Sequence, residues 1–141
     1  MNQVTKIFTF DAGHRLSDYI GKCKNLHGHT YRLEVTVSGE IDKLGMVVDF
    51  NKLNLIFKDY IEPKFDHKMI LKKDDEINQR IGVAVELLED CIYWVDYNPT
   101  AENMAIEILR TFDWYFHDSE VHVVKVRLYE TPTSYVDVYH E

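Results

Sequence analysis

The 141 residues fit one domain, residues 1–141, and at 45% hydrophobic and 28% charged they have the make-up of an ordinary globular protein. A net charge of −8 argues against general nucleic-acid binding, and no apolar run approaches the ~20 residues of a membrane-spanning helix. The acidity is uneven: residues 1–40 hold five of the 16 Lys/Arg and four of the 24 Asp/Glu, so residues 41–141 hold eleven and twenty.

From Val4 to Leu16 the chain alternates, with Phe8, Phe10, Ala12 and His14 on one parity, which predicts a half-buried strand. A loop, Ser17 to Leu26, contains Gly21 and Cys23. Alternation returns from His27 to Ser38. Tyr31, Leu33, Val35 and Val37 share one face; Arg32, Glu34, Thr36 and Ser38 share the other. "GMVVDF" leads into a helix from about Asn51 to Ile61, with Asp49 as N-cap and Leu53, Ile56, Phe57 and Tyr60 as its apolar stripe. Pro63 is expected to stop it. A short helix within residues 76–90 and a short strand at "CIYWVDY" follow. "NPTAENMAIEILRTFDWYF" is a clear helix, capped by Thr100, with Ala105, Ile108, Leu109 and Phe112 facing inward. "VHVVKVRLYE" and "SYVDVYH" are two strands joined by "TPT". Hairpins at both ends with helices between predict an α+β fold, an antiparallel sheet carrying two helices on one face.

The chain has two cysteines. Its start, "MNQVTKIFTFDAG", has no basic segment followed by an apolar one, so Cys23 and Cys91 are expected as free thiols in a reducing cytoplasm. Cys91, in an apolar run, is expected in the core. Cys23 opens "CKNLHGHTY" and needs another explanation.

On a strand, residues i and i+2 point the same way. His27 and His29 therefore project together, on the enclosed face that also carries Tyr31 and Leu33. His14 shares the parity of Phe8 and Phe10, and a hairpin would bring it beside them. Three neutral imidazoles make a zinc site with one tetrahedral position open. Gly28, between two of the ligands, leaves room for another backbone or a substrate. Cys23 lies on the loop: a fourth ligand, a base or nucleophile near the metal, or a plain loop thiol. "FDHK" sets Asp66 beside His67, a possible acid–base relay if the chain bends there. Glu130 shares the parity of Val124, Val126 and Leu128. A carboxylate on an apolar face needs partners, such as a heterocycle presenting two N–H donors side by side. His117, His122 and His140 have no comparable arrangement and read as surface residues.

"FTFDAGHRL", "CKNLHGHTY", "GMVVDF", "FDHKMIL", "NPTAEN" and "RLYETPTSY", in that order over residues 8–135, resemble the 6-pyruvoyltetrahydropterin synthase / 6-carboxytetrahydropterin synthase family. The resemblance implies the T-fold: a four-stranded antiparallel sheet, two helices on one face, and ring-like homo-oligomers, usually hexamers, with sites between subunits. It implies zinc on His14, His27 and His29, Cys23 as the proton-abstracting group, Asp66 and His67 as its relay, and Glu130 as the anchor of the pterin ring. It implies 7,8-dihydroneopterin triphosphate as substrate. The spacing and style of the motifs look bacterial and favour 6-carboxy-5,6,7,8-tetrahydropterin, acetaldehyde and triphosphate as products, on the way to queuosine. The alternatives are 6-pyruvoyltetrahydropterin synthesis with the side chain retained, or a zinc- and pterin-binding oligomer without turnover. Lys22, Lys24 and Arg15 are candidates to meet the triphosphate. The 30 residues from Met69 to Asn98 depart from shorter members and are expected to remodel a subunit contact or the rim of the site.

Overall fold

The computed structural model describes residues 1–141. Two long strands, β1 (Asn2–His14) and β2 (His27–Gly39), form an antiparallel hairpin in unbroken register from Asn2↔Gly39 to His14↔His27. Helix α1 (Phe50–Ile56) follows, capped by Asp49, whose side chain accepts from the Asn51 N–H at 2.8 Å. It runs through a wide π turn (Phe57–Ile61) into α2 (Glu62–Phe65). Strand β3 (Met69–Lys72), helix α3 (Glu76–Ala84) and strand β4 (Ile92–Val95) come next. Helix α4 (Ala101–Phe116) and the antiparallel strands β5 (His122–Thr131) and β6 (Ser134–Tyr139) complete the chain.

The architecture is α+β, as expected, but the sheet is six-stranded and mixed rather than four-stranded and antiparallel. Its order is β4-β3-β1-β2-β5-β6. The segment after Pro63 supplies the two extra strands: β3 pairs parallel with Gly13 and His14 at the end of β1, and β4 pairs parallel with β3. The free edge of β1 is thereby covered just where His14 sits.

Inward parity holds along the central strands. Phe8, Phe10 and Ala12 are buried, and Tyr31, Leu33, Val35 and Val37 are 0% exposed. These side chains meet Leu53, Ile56, Phe57 and Ile61 from the first helix and Met104, Ala105, Ile108, Leu109 and Phe112 from α4 in one cluster. Removing a fully buried side chain such as Phe112 would cost about 3–5 kcal/mol. The polar face of β2 is partly covered too: Thr36 is buried, and its hydroxyl is 2.8 Å from that of Thr5.

Four local expectations are corrected. Pro63 does not end the helix. The Glu62 N–H bonds the Phe57 carbonyl, a wide turn that carries the chain past the residue lacking an N–H. The same widening rotates Tyr60 outward, to 41% exposure, and puts Ile61 inside. On β5, a register shift opposite Thr36/Val37 reverses parity, so Val123 rather than Val124 is buried, while Val126, Leu128 and Glu130 keep the inward face. Cys91 is half-buried rather than in the core. No helix is long and apolar enough to cross a membrane.

Candidate metal centre and adjoining cavities

At the end of the hairpin, the cross-strand pair His14↔His27 and the next inward residue of β2, His29, bring three imidazoles together. Glu130 reaches them from the end of β5. Ligand atoms of His14, His27, His29 and Glu130 all lie within 4.8 Å of one another.

The donor chemistry of this group points to a bound cation. His14 Nδ1 is 2.7 Å from the Pro99 carbonyl and His27 Nδ1 is 2.8 Å from the Asn25 carbonyl. A carbonyl only accepts, so each Nδ1 carries the hydrogen and each Nε2 presents a lone pair. Those two Nε2 atoms face each other at 3.0 Å. Two lone pairs at that distance repel unless a positive centre lies between them. Nitrogens sharing a tetrahedral zinc, each at ~2.0–2.1 Å from it, would stand roughly 3.3 Å apart. His29 Nε2 is buried and makes no aligned hydrogen bond, although Glu130 Oε1 lies 2.9 Å away. Glu130 Oε1 is also 3.7 Å from His14 Nε2.

Electrostatics favour ligating imidazoles. Burial pushes the pKa of His14 down, reinforced by the neighbouring His27 and only partly offset by Glu130 and the Pro99 carbonyl. Burial likewise lowers His29 against the opposing pull of Glu130. A neutral ring is what a metal binds. Tyr31, fully enclosed beside His14 and His29, has its phenol raised by burial and by Glu130, and stays protonated.

Two open cavities flank the cluster, and His29 belongs to both. One, about 520 Å³, is lined by Glu130, Arg32 and Tyr129. The other, about 580 Å³, is lined by His67, Met69 and Cys91. His67 has a left-handed backbone, φ 60°. Its N–H bonds the Asp11 carbonyl at 2.6 Å, and Asp66 Oδ1 accepts from the Asp11 N–H at 3.0 Å. That bend lets adjacent side chains meet: Asp66 Oδ2 is 2.9 Å from His67 Nδ1. The His67 side chain is 78% exposed. The Asp66 hydrogen bond, then its charge, hold the His67 pKa above the ordinary value.

Cys23 sits in a short 3₁₀ turn, Lys22–Lys24, half-buried and free. Its carbonyl accepts from the Leu16 N–H at 3.0 Å, which ties the loop back to the residue two beyond His14. No hydrogen bond links Cys23 to His67. One chain thus gathers the three histidines with Glu130 and pairs Asp66 with His67, and the thiol is bonded to neither group. Arg15 is not free to meet a phosphate. It is buried, with Nη1 2.9 Å from Asp75 Oδ2 and 3.0 Å from Asn78 Oδ1. The residues missed from sequence are those acting through the main chain, Pro99 and Asn25, and the partners of Arg15. A carbonyl carries no residue-type signal, and Asp75 lies 60 positions from Arg15.

Residues 3–141 match the family described as 6-pyruvoyl tetrahydropterin synthase. The 6-carboxy-5,6,7,8-tetrahydropterin synthase of Rickettsia typhi is 41% identical, over 98% of this chain and 100% of its own length. That of Haemophilus influenzae is 38% identical, over 97% and 98%. Among solved structures, an uncharacterized protein of Wolinella succinogenes superposes with a TM-score of 0.84 at 28% identity, covering 99% of this chain and 98% of that one. The 6-pyruvoyl tetrahydropterin synthase of Caenorhabditis elegans shares the fold, with a TM-score of 0.72 at 24% identity over 99% and 96%. With the match running to the last residue and relatives aligned end to end, the chain belongs to the 6-pyruvoyl tetrahydropterin synthase family.

Proposed function

We propose that this chain is a zinc-dependent lyase that takes 7,8-dihydroneopterin triphosphate and water to 6-carboxy-5,6,7,8-tetrahydropterin, acetaldehyde and triphosphate, a step toward 7-deazapurines such as queuosine. The observation that carries the reading is the pair of facing Nε2 lone pairs, 3.0 Å apart, with the orphaned Nε2 of His29 beside them. Relatives named for this activity, alike from end to end, select it over retention of the three-carbon side chain.

His14, His27 and His29 would hold the zinc, an ion suited to three neutral imidazoles. Bound there, it supplies a Lewis acid for the oxygens of the substrate side chain. Glu130 accepts from the pterin amino group and ring N–H, and so sets the side chain's register. Cys23, as thiolate, removes the C–H proton. His67, its pKa raised by the pairing with Asp66, delivers a proton to the side chain as imidazolium and takes one back as imidazole.

That Cys23 shares no hydrogen bond with the exposed Asp66–His67 pair supports a site completed by a second copy. The unpaired outer edges of β4 and β6 support a ring-like homo-oligomer, with a hexamer as the expected size. The test is incubation of the zinc-loaded protein with dihydroneopterin triphosphate, followed by mass analysis. Acetaldehyde and carboxypterin are expected. A product retaining three side-chain carbons, or unchanged substrate, would overturn the reading.

A further inference from the structure

The segment Met69–Asn98 does more than widen the sheet. It brings the N-terminus of α3 over the residue that follows His14. Arg15 is turned away from solvent, with 11% of its side chain exposed, and its Nη1 donates to both Asp75 Oδ2 and Asn78 Oδ1. Asn78 is 0% exposed, and its N–H goes to Asp75 Oδ1, its Nδ2 goes to the Lys72 carbonyl and its Oδ1 accepts from Arg15. Asp75 therefore caps α3 with one oxygen and holds Arg15 with the other.

Two residues on, the chain is gripped again. Asn98, the last residue of the segment, accepts from the Ser17 N–H at 2.8 Å and donates back to the Ser17 carbonyl at 3.3 Å. Its neighbour Pro99 provides the carbonyl that fixes the tautomer of His14. Residues 14–17 are thus held from both ends of the segment, by groups that are buried or half-buried. A solvent-facing loop would need none of this. A buried guanidinium also carries a large desolvation cost that two short bonds must offset.

We infer that Arg15, Asp75 and Asn78 form a positioning clamp, through which the Met69–Asn98 segment holds His14 and its Pro99 acceptor in ligating geometry. This rests on reading His14, His27 and His29 as the metal ligands. None of the three clamp residues belongs to the ligand group of His14, His27, His29 and Glu130; they act through His14. Loss of the clamp should let residues 14–17 shift against Pro99, loosening the hydrogen bond that orients the ring. Outer partners of metal-bound histidines typically change metal affinity by about 10–100-fold when removed.

The test uses the full chain. Wild type, Arg15→Met, Asp75→Asn, the double variant and Val138→Ala are titrated with Zn²⁺ against a chromophoric chelator, and each is melted without metal. Asp75→Asn keeps a side chain able to cap α3 while removing the charge that holds Arg15. Val138→Ala shortens a partly buried side chain on β6, a strand that pairs with β5 alone. Both clamp variants should bind Zn²⁺ about 10–100-fold more weakly. The double variant should be no worse than the weaker single one, because one interaction is lost. The Val138→Ala protein should melt earlier and keep wild-type affinity. Wild-type Zn²⁺ affinity in both clamp variants would overturn the clamp and leave the metal site standing. Equal weakening in Val138→Ala would make the effect general softening and overturn it too. Failure of the wild-type chain to bind Zn²⁺ would overturn the metal reading and the clamp together.

Discussion

Replacing Glu130 by Gln separates two roles that its position permits. Its Oε1 stands 2.9 Å from His29 Nε2, yet the same side chain lines the open cavity of about 520 Å³. As the proposed ring anchor it would accept two hydrogen bonds as an anion. Bonds to a charged group are worth about 1.5–3 kcal/mol against about 0.5–1.5 for neutral pairs, so loss of the charge costs roughly 1–1.5 kcal/mol per bond. The amide also turns a donor toward a ring donor, leaving a polar group unpaired at about 1–3 kcal/mol. Because the carboxylate is 30% exposed, water recovers part of this, and the low end of the sum, about 3 kcal/mol, is the appropriate figure. That corresponds to a fall of roughly 150-fold in kcat/KM. The loss should appear mainly in KM, since the ring is held alike in ground and transition states. Initial rates of triphosphate release and the zinc content of the same samples are the measurements. An unchanged kcat/KM would refute the anchoring role. Zinc lost in step with activity would make Glu130 a ligand first and refute the separation.

Cys23→Ala should lower turnover by about 10²–10⁴-fold with zinc retained; zinc lost with the thiol would make Cys23 a ligand. Nuclear magnetic resonance titration of His67 should give a midpoint above 6.5 that falls in Asp66→Asn, and an unmoved midpoint would contradict the pairing. The sign is that of a raised pKa: any stability the pair adds is present below the unfolded value and lost as pH rises through the folded one. In Gly28→Ala a new Cβ would stand 3.1 Å from the Ala12 carbonyl oxygen, which is backbone and cannot swing aside. The hairpin should open beside His14 and His27, with unfolding easier by about 1–3 kcal/mol in denaturant titration and Zn²⁺ bound more weakly.

Period-two alternation makes the histidine cluster legible in the sequence. His14, His27 and His29 share parity with the core of their strands, and parity survives folding wherever the register is unbroken. Glu130 is legible for the same reason, although the bulge higher on β5 takes Val124 off the parity of the buried residues. Of the two extra strands, β4 lies within the strand expected at "CIYWVDY", whereas β3 leaves little trace in the sequence. Residues 69–72 are too few to show a period, and a parallel partner leaves no hairpin turn in the sequence. Pro63 is a poor stop signal here because the π turn before it accommodates its missing N–H. The pairing of Asp66 with His67 depended on one left-handed residue, which nothing in "FDHK" announces. Arg15 looked like a free cation because its acceptors lie on a distant helix cap.

The orienting acceptors of His14 and His27 are main-chain carbonyls, those of Pro99 and Asn25. Every amino acid offers the same carbonyl, so substitution at position 25 or 99 cannot delete these bonds. An alanine scan would pass over both positions while the bonds stayed in place. What they do depend on is the path of the backbone, and hence the lengths of the loops before β2 and α4. Insertions and deletions in those loops, rather than changes of residue type, are the mutations to which this histidine cluster is most vulnerable.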